Sequence, residues 1–194
     1  MQEILKNNLE RILGSEFPDQ LLDLFRKYSF KRSFDKKELL AEAGADCKYQ
    51  YFIIEGSAYS FYVNDKGDKN AIEFAIEGYW ITDAASYFTG KPAVSTIETL
   101  EPTTALLINR QDYDKLCCAH PLFDKFFRIL MQNALTSLHQ RIAKTISEEA
   151  EYRYQEFSDK YPQFIQRIPQ YLIASYLGIT PQSLSRIRKN LFQK

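Results

Sequence analysis

The sequence predicts an α+β protein: a compact β-barrel or sandwich, then one long helix, then a short pair of helices at the C-terminus. Three observations predict it. Short β-branched and aromatic segments alternate with turn signals between Phe30 and Leu107, at intervals of about 8–12 residues that suit a barrel or sandwich and not a parallel sheet. From Pro121 the apolar residues change to steps of three and four, the period of a helix. The chain then closes on a helix–glycine–helix pattern around Gly178.

With 194 residues and 22.7 kDa the chain has room for one large domain or two small ones. Its 45% hydrophobic and 14% aromatic content supports a packed core and not a disordered chain. No apolar run approaches the roughly 18–20 residues needed to span a bilayer. The start, MQEILKNNLERILGSEF, reads as an amphipathic helix without the basic, apolar and cleavage regions of a signal peptide. A cytoplasmic protein with no membrane partner is expected. Cys47, Cys117 and Cys118 are too few and too unevenly spaced for a disulfide framework or a closed metal site, so buried free thiols are expected.

Taken in order, Met1 to Tyr28 gives two short helices punctuated by Gly14 and Pro18. YFIIEGSAYSFYV reads as two strands broken at Glu55–Gly56, Asn64–Asp65–Lys66–Gly67 as a turn, and AIEFAI as the next strand. Further turns at EGYW, FTGKPA and LEPTT lead into TALLINRQDY, with the strand texture ending at about Leu107. Phe123, Phe127, Met131, Leu135, Leu138, Ile142 and Ile146 then hold one apolar stripe through a long helix over 121–146. That stripe suits a dimerisation element; the alternative is a helix buried along its length on its own barrel. Ser147–Glu148–Glu149 has the form of an N-cap with first-turn carboxylates, which places a hinge there and a helix AEYRYQEFSDKY before Pro162.

The last segment carries the chemistry. Pro169 opens a helix whose buried side is Leu172, Ile173, Ala174 and Leu177; Gly178 ends it in a position suited to left-handed backbone. Thr180 caps the next helix, Pro181 takes its first position, and Leu184, Ile187 and Leu191 face inward. Gln182, Ser183, Arg186 and Lys189 or Asn190 remain on the other face, beside Arg188. After Asp159 there is no Asp or Glu, whereas Lys160, Arg167, Arg186, Arg188, Lys189 and Lys194 all fall there. A basic terminal piece on a formally neutral chain points to a polyanion. In the major groove Gln can bond adenine through two atoms and Arg can do the same to guanine.

ASYLGITPQSLSRIRKNL is similar to the recognition motif of the cAMP receptor protein/Fnr regulators, in which a helix ending in Leu-Gly precedes a Ser/Thr-capped helix with a central Arg. Thr180 matches the capping residue, Gln182 the usual Glu or Gln reader, Ser183 the small hydroxyl residue and Arg186 the base-contacting Arg; Pro181 replaces a frequent Arg. The resemblance implies a cyclic-nucleotide-binding-like β-roll (jelly roll) with its dimerisation helix over residues 1–146 and a small (winged) helix-turn-helix domain over 147–194. It implies a homodimeric regulator that binds duplex DNA at an inverted repeat, with Thr180, Gln182, Ser183, Arg186, Arg188 and Lys189 as contacts and RNA polymerase as a partner. No cofactor is expected.

Nucleotide-binding members carry a Gly-Glu pair for the ribose and, about ten residues on, an Arg-Ser/Thr pair for the cyclic phosphate. Here Thr82 and Asp83 stand at the first pair, Val94 and Ser95 at the second. Val94 cannot neutralise a phosphate, Asp83 is a methylene shorter than Glu though still able to reach a hydroxyl, and Lys91 is the only cation nearby. The effector pocket is therefore degenerate. It either takes a small molecule other than cAMP or cGMP, or is filled by Tyr79, Trp80, Tyr87 and Phe88. His120 and His139 suit turn and surface roles better than haem ligation. The competing function is a signalling or adaptor protein that docks proteins through the β-roll and terminal helices. An acid-free, Arg-rich tail favours DNA. No enzyme is expected, since the motifs of hydrolases, nucleotide-binding loops and zinc proteases are missing from the sequence.

Overall fold

A computed structural model of the chain describes residues 2–191. Helices α1 (Gln2–Leu13) and α2 (Asp19–Lys27) precede strands β1 (Phe30–Phe34), β2 (Leu39–Ala41), β3 (Tyr49–Glu55), β4 (Ala58–Val63), β5 (Lys69–Ala75) and β6 (Trp80–Ile81). Then come α3 (Ala84–Thr89), β7 (Thr96–Thr99) and β8 (Thr103–Asn109). Helices α4 (Arg110–Ala119), α5 (Pro121–Ser147), α6 (Ala150–Lys160), α7 (Pro162–Arg167), α8 (Gln170–Tyr176) and α9 (Pro181–Leu191) follow. No described helix is long and apolar enough to cross a membrane.

The strands form two antiparallel sheets, ordered β1-β8-β3-β6 and β2-β7-β4-β5. Strand β3 shows why YFII reads as a continuous apolar run. Tyr51 and Ile53 point into the roll with Phe34, Leu40, Ile97 and Leu107. Phe52 and Ile54 point out, under a layer built by Leu5, Leu9, Phe25, Leu116, Phe123 and Phe127. Alternation by two sends successive side chains to opposite faces, and here both faces are covered. Gly56 is fixed by the turn after β3: its φ is +94° and an added Cβ would lie 2.5 Å from the Pro102 carbonyl oxygen.

Of the aromatics expected to fill the pocket, Tyr79 packs against the roll interior, and Trp80, Tyr87 and Phe88 go elsewhere. Trp80 stacks among Phe25, Phe52, Phe126 and Phe127 in the helical layer, its Nε1 donating to Asn8 Oδ1 at 3.0 Å. Tyr87 and Phe88 pack on Tyr113, and Tyr79 reaches Phe164 of α7. The interior of the roll is filled by Phe34, Tyr51 and aliphatic side chains, with the Tyr51 hydroxyl donating to the Leu40 carbonyl.

The helical half differs from the expectation in three places. Asn109 ends β8, paired with Tyr49, and leads at once into a helix not expected there: its side chain accepts from Asp112 N and starts α4. Ser147 is not an N-cap. Its hydroxyl donates to the Ala143 carbonyl, so α5 runs to Ser147 and the backbone turns extended at Glu148 and Glu149. No strand follows β8 among the described residues, so the helix-turn-helix has no wing there: Pro162 opens the extra helix α7, and Pro169, which has no N–H to give to a ladder, stands at the N-cap of α8.

Helix α5 runs through the expected boundary at 146/147, the backbone breaks at Glu148 and Glu149, and the core is continuous across the break. Phe157, Phe164, Leu172, Ile173, Leu184 and Ile187 of the C-terminal unit share one cluster with Tyr59, Phe61, Phe74 and Ile76 of the roll. Arg167 ties the two by ion pairs to Glu77 and Glu101, and Ser175 Oγ accepts from Ala71 N at 3.0 Å.

Candidate functional site

The terminal helix pair is built by its backbone. Ala174, fully buried, lets the helices approach. Gly178 takes φ +69°, and Ile179 N donates back to Ala174 O at 3.0 Å, closing α8 with a left-handed turn. Thr180 Oγ1 accepts from Ser183 N at 3.1 Å and caps α9, with Pro181 in the first position. Leu184 and Ile187 are buried beneath it.

Of the residues named for DNA contact, Gln182, Arg186 and Lys189 lie exposed on one face of α9. Ser183 is half-buried and its hydroxyl is tied to Thr180 Oγ1 at 2.9 Å, so both hydroxyls serve the cap first. Arg188 sits on the flank, half-buried and engaged within the protein. Ser185, which the sequence reading passed over, stands exposed beside Gln182 and Lys189. A rotation of 100° per residue would have found it.

The residues read as a degenerate effector pocket are organised by Asp83. Asp83, 4% exposed, caps α3 by accepting from Ser86 N at 2.9 Å. Its other oxygen accepts from Val94 N at 3.1 Å, Ser95 N at 2.9 Å and Ser95 Oγ at 2.7 Å. The amides of Val94 and Ser95 are thus held by the chain's own carboxylate, both of whose oxygens accept hydrogen bonds within the protein. Burial works to raise the Asp83 pKa, but the bonds from Ser86, Ser95 and Val94 outweigh it and hold the carboxyl below its ordinary value. Thr82 donates its hydroxyl to Tyr49 O at 3.0 Å, and the Val94 side chain is exposed. His120 caps α5 through Nδ1 and His139 is exposed. Among the described residues no group of His, Cys, Asp and Glu could hold a metal ion.

Residues 31–120 match the family described as cyclic nucleotide-binding domain. No curated protein sequence matches the chain. Among solved structures it is similar to FixK2 from Bradyrhizobium japonicum, at 17% identity and TM-score 0.74, covering 85% of each chain. The Thermus thermophilus catabolite activator protein aligns at 17% identity and TM-score 0.61, over 94% of this chain and 87% of that one. A CooA mutant from Carboxydothermus hydrogenoformans aligns at 17% identity and TM-score 0.69, over 95% and 84%. Residues 31–120 thus match the cyclic nucleotide-binding domain family, and the chain as a whole shares the fold of FixK2, the catabolite activator protein and CooA.

Proposed function

We propose that the protein is a homodimeric, sequence-specific DNA-binding transcription regulator, responsive to an effector other than cAMP or cGMP, with no catalytic activity of its own. The observation that carries the reading is the exposed face of α9: Gln182, Ser185, Arg186 and Lys189 stand together, on a helix pair without a single acidic residue. A recognition helix meets base edges through its N-terminal residues and phosphates further along. Gln182 and Arg186 fit the first task and Lys189 the second. The fold supports the reading, since similar structures include a catabolite activator protein and a c-di-GMP-responsive global regulator from Xanthomonas campestris. RNA polymerase is the partner such a regulator would engage.

Selection from random duplex DNA should return an inverted repeat with half-sites about 34 Å apart, one helical turn. Against the selected site, Arg186→Ala should cost about 1–3 kcal/mol and relax the preference at one base position. Lys189→Ala should weaken all sequences alike and flatten the salt dependence. An unchanged consensus and affinity for Arg186→Ala would remove α9 as the reading helix.

Calorimetric titration with cAMP or cGMP should show no binding in the low micromolar range. Asp83 already holds the amides of Val94 and Ser95, and no arginine replaces Val94. A charge-assisted bond of about 1.5–3 kcal/mol is missing on the phosphate. A micromolar dissociation constant for either nucleotide would refute this.

A further inference from the structure

If the roll does not accept a cyclic nucleotide, the hinge offers another place for a signal to enter. An open cleft lies between α5, α6 and α8, lined by Arg141 and Lys144 of α5, Arg153, Phe157 and Lys160 of α6, and Tyr176 of α8. We propose that this cleft binds a small organic anion, a phosphate or carboxylate carried on a flat ring.

Charge supports the anion. Four cations line the cleft and only one carboxylate does, Glu156, which is already paired with Lys144. Arg153 donates to the carbonyls of Glu148 and Leu177, at the C-terminal ends of α5 and α8, and its Nε is buried without a hydrogen-bond partner. Behind Arg141 lies Glu73 of β5. Burial pushes its carboxyl up to about 7, against the pull of Arg141, so near neutral pH Arg141 is only partly neutralised from that side.

Shape supports the ring. Phe157 lies 5.3 Å from Tyr176 and 5.4 Å from Tyr161 by ring centroids. The Arg141 guanidinium stands 4.5 Å over Tyr176 and Lys160 Nζ 5.2 Å over Tyr161. The rings are packed on one another and covered by the two cations, so a flat anion would lie against the outer side of the Arg141 guanidinium, which stacks on planar groups, while its charge met Arg141 and Lys160. The apolar stripe of α5 lies to one side of this face: Ile142 is turned from Arg141 by about 100° and Leu138 by about 60°, whereas Lys144 lies about 60° to the other side. A dimer formed through the stripe therefore leaves the Lys144 side of the cleft open.

A ligand held there would join α5 to α6 and α8 across the break at Glu148 and Glu149, and so set the angle of α9 against the dimer helix. That consequence rests on the DNA-binding reading; the binding itself does not. The test is calorimetry on the full chain with phenyl phosphate, inorganic phosphate and phenol. Phenyl phosphate should saturate one site per chain with a dissociation constant of about 1 mM or tighter, and the two fragments should each bind about tenfold more weakly. Arg141→Gln and Lys160→Gln, the latter exposed and so safe for folding, should each weaken phenyl phosphate about tenfold, and the distant Lys91→Gln should not. The proposal is overturned by no saturable binding up to about 10 mM, by equal weakening in Lys91→Gln, or by wild-type binding in both cleft variants. It is also overturned if the cleft variants lower DNA affinity and its salt slope while phenyl phosphate shows no saturable site, because the cations would then serve the DNA backbone. Loss of DNA binding in Arg186→Ala with phenyl phosphate binding intact would leave it standing.

Discussion

Leu138→Glu is expected to convert a dimer into monomers and to weaken binding to the inverted repeat by about 100-fold or more. Helix α5 divides its apolar residues between two tasks. Phe123, Phe126 and Phe127 are buried against the protein's own roll. Beyond them the roll ends and the stripe goes on: Leu135 is 54% exposed, Leu138 40%, Ile142 49% and Ile146 82%. Large aliphatic side chains spaced by three and four on one side of a helix form the seam by which two helices pack. A second copy of the same helix is the partner that a two-fold site on DNA would require. A carboxylate at Leu138 would be buried in that seam without a partner, at a cost of about 3–5 kcal/mol. Each monomer would then reach one half-site and lose the advantage of the linked second contact. Light scattering at micromolar concentration should give twice the chain mass for the parent and the chain mass for the variant. A monomeric parent with full affinity, or a variant of unchanged mass, would rule out α5 as the interface.

The same helix shows what the sequence could tell and what it could not. The period of three and four placed α5 correctly, because a helical stripe is a local property. Which part of the stripe meets the roll depends on where β3 and β8 end, and no window of residues contains that. The turn of the terminal helix pair was legible to the residue, since Gly178, Thr180 and Pro181 each act on the backbone beside them, whereas Pro169 stands one position outside the helix it was expected to open. The basic tail was legible only as a sum. Arg167 belongs to the ion pairs with Glu77 and Glu101, 90 and 66 positions away, and Lys160 to the hinge cleft. Arg186 and Lys189 alone of the described cations stand on the exposed face of α9, and Lys194 lies outside the described residues. Helices α3, α4 and α7 were missed because two are six residues long and the third starts at an Asn that also fits a turn. Asp83 was recognised as a substitution, but its four bonds come from residues three to twelve positions on, brought back by the fold of the turn.

Asp83→Ala is expected to lower stability by about 3–5 kcal/mol, because each buried donor left without an acceptor costs about 1–3 kcal/mol and water entry recovers part of the sum. The donors lost are the first-turn amide of α3, the amides of Val94 and Ser95, and the Ser95 hydroxyl. The sign of the pH dependence follows from the lowered carboxyl. A group whose pKa is depressed by folding stabilises fully above its ordinary value, about 3.9 for aspartate, and loses that contribution as the pH falls through the lower value in the fold. Urea unfolding should therefore show a large gap between parent and variant at pH 7, narrowing as the pH falls below about 4. The variant also separates two explanations for cyclic-nucleotide rejection. With the carboxylate gone, the amides of Val94 and Ser95 are free to meet a phosphate, yet no cation has been added to neutralise it. Calorimetry on Asp83→Ala should still show no micromolar cAMP binding. Stability equal to the parent would show that the four bonds contribute nothing net. Micromolar cAMP binding would show that Asp83 alone, and not the missing arginine, keeps the nucleotide out.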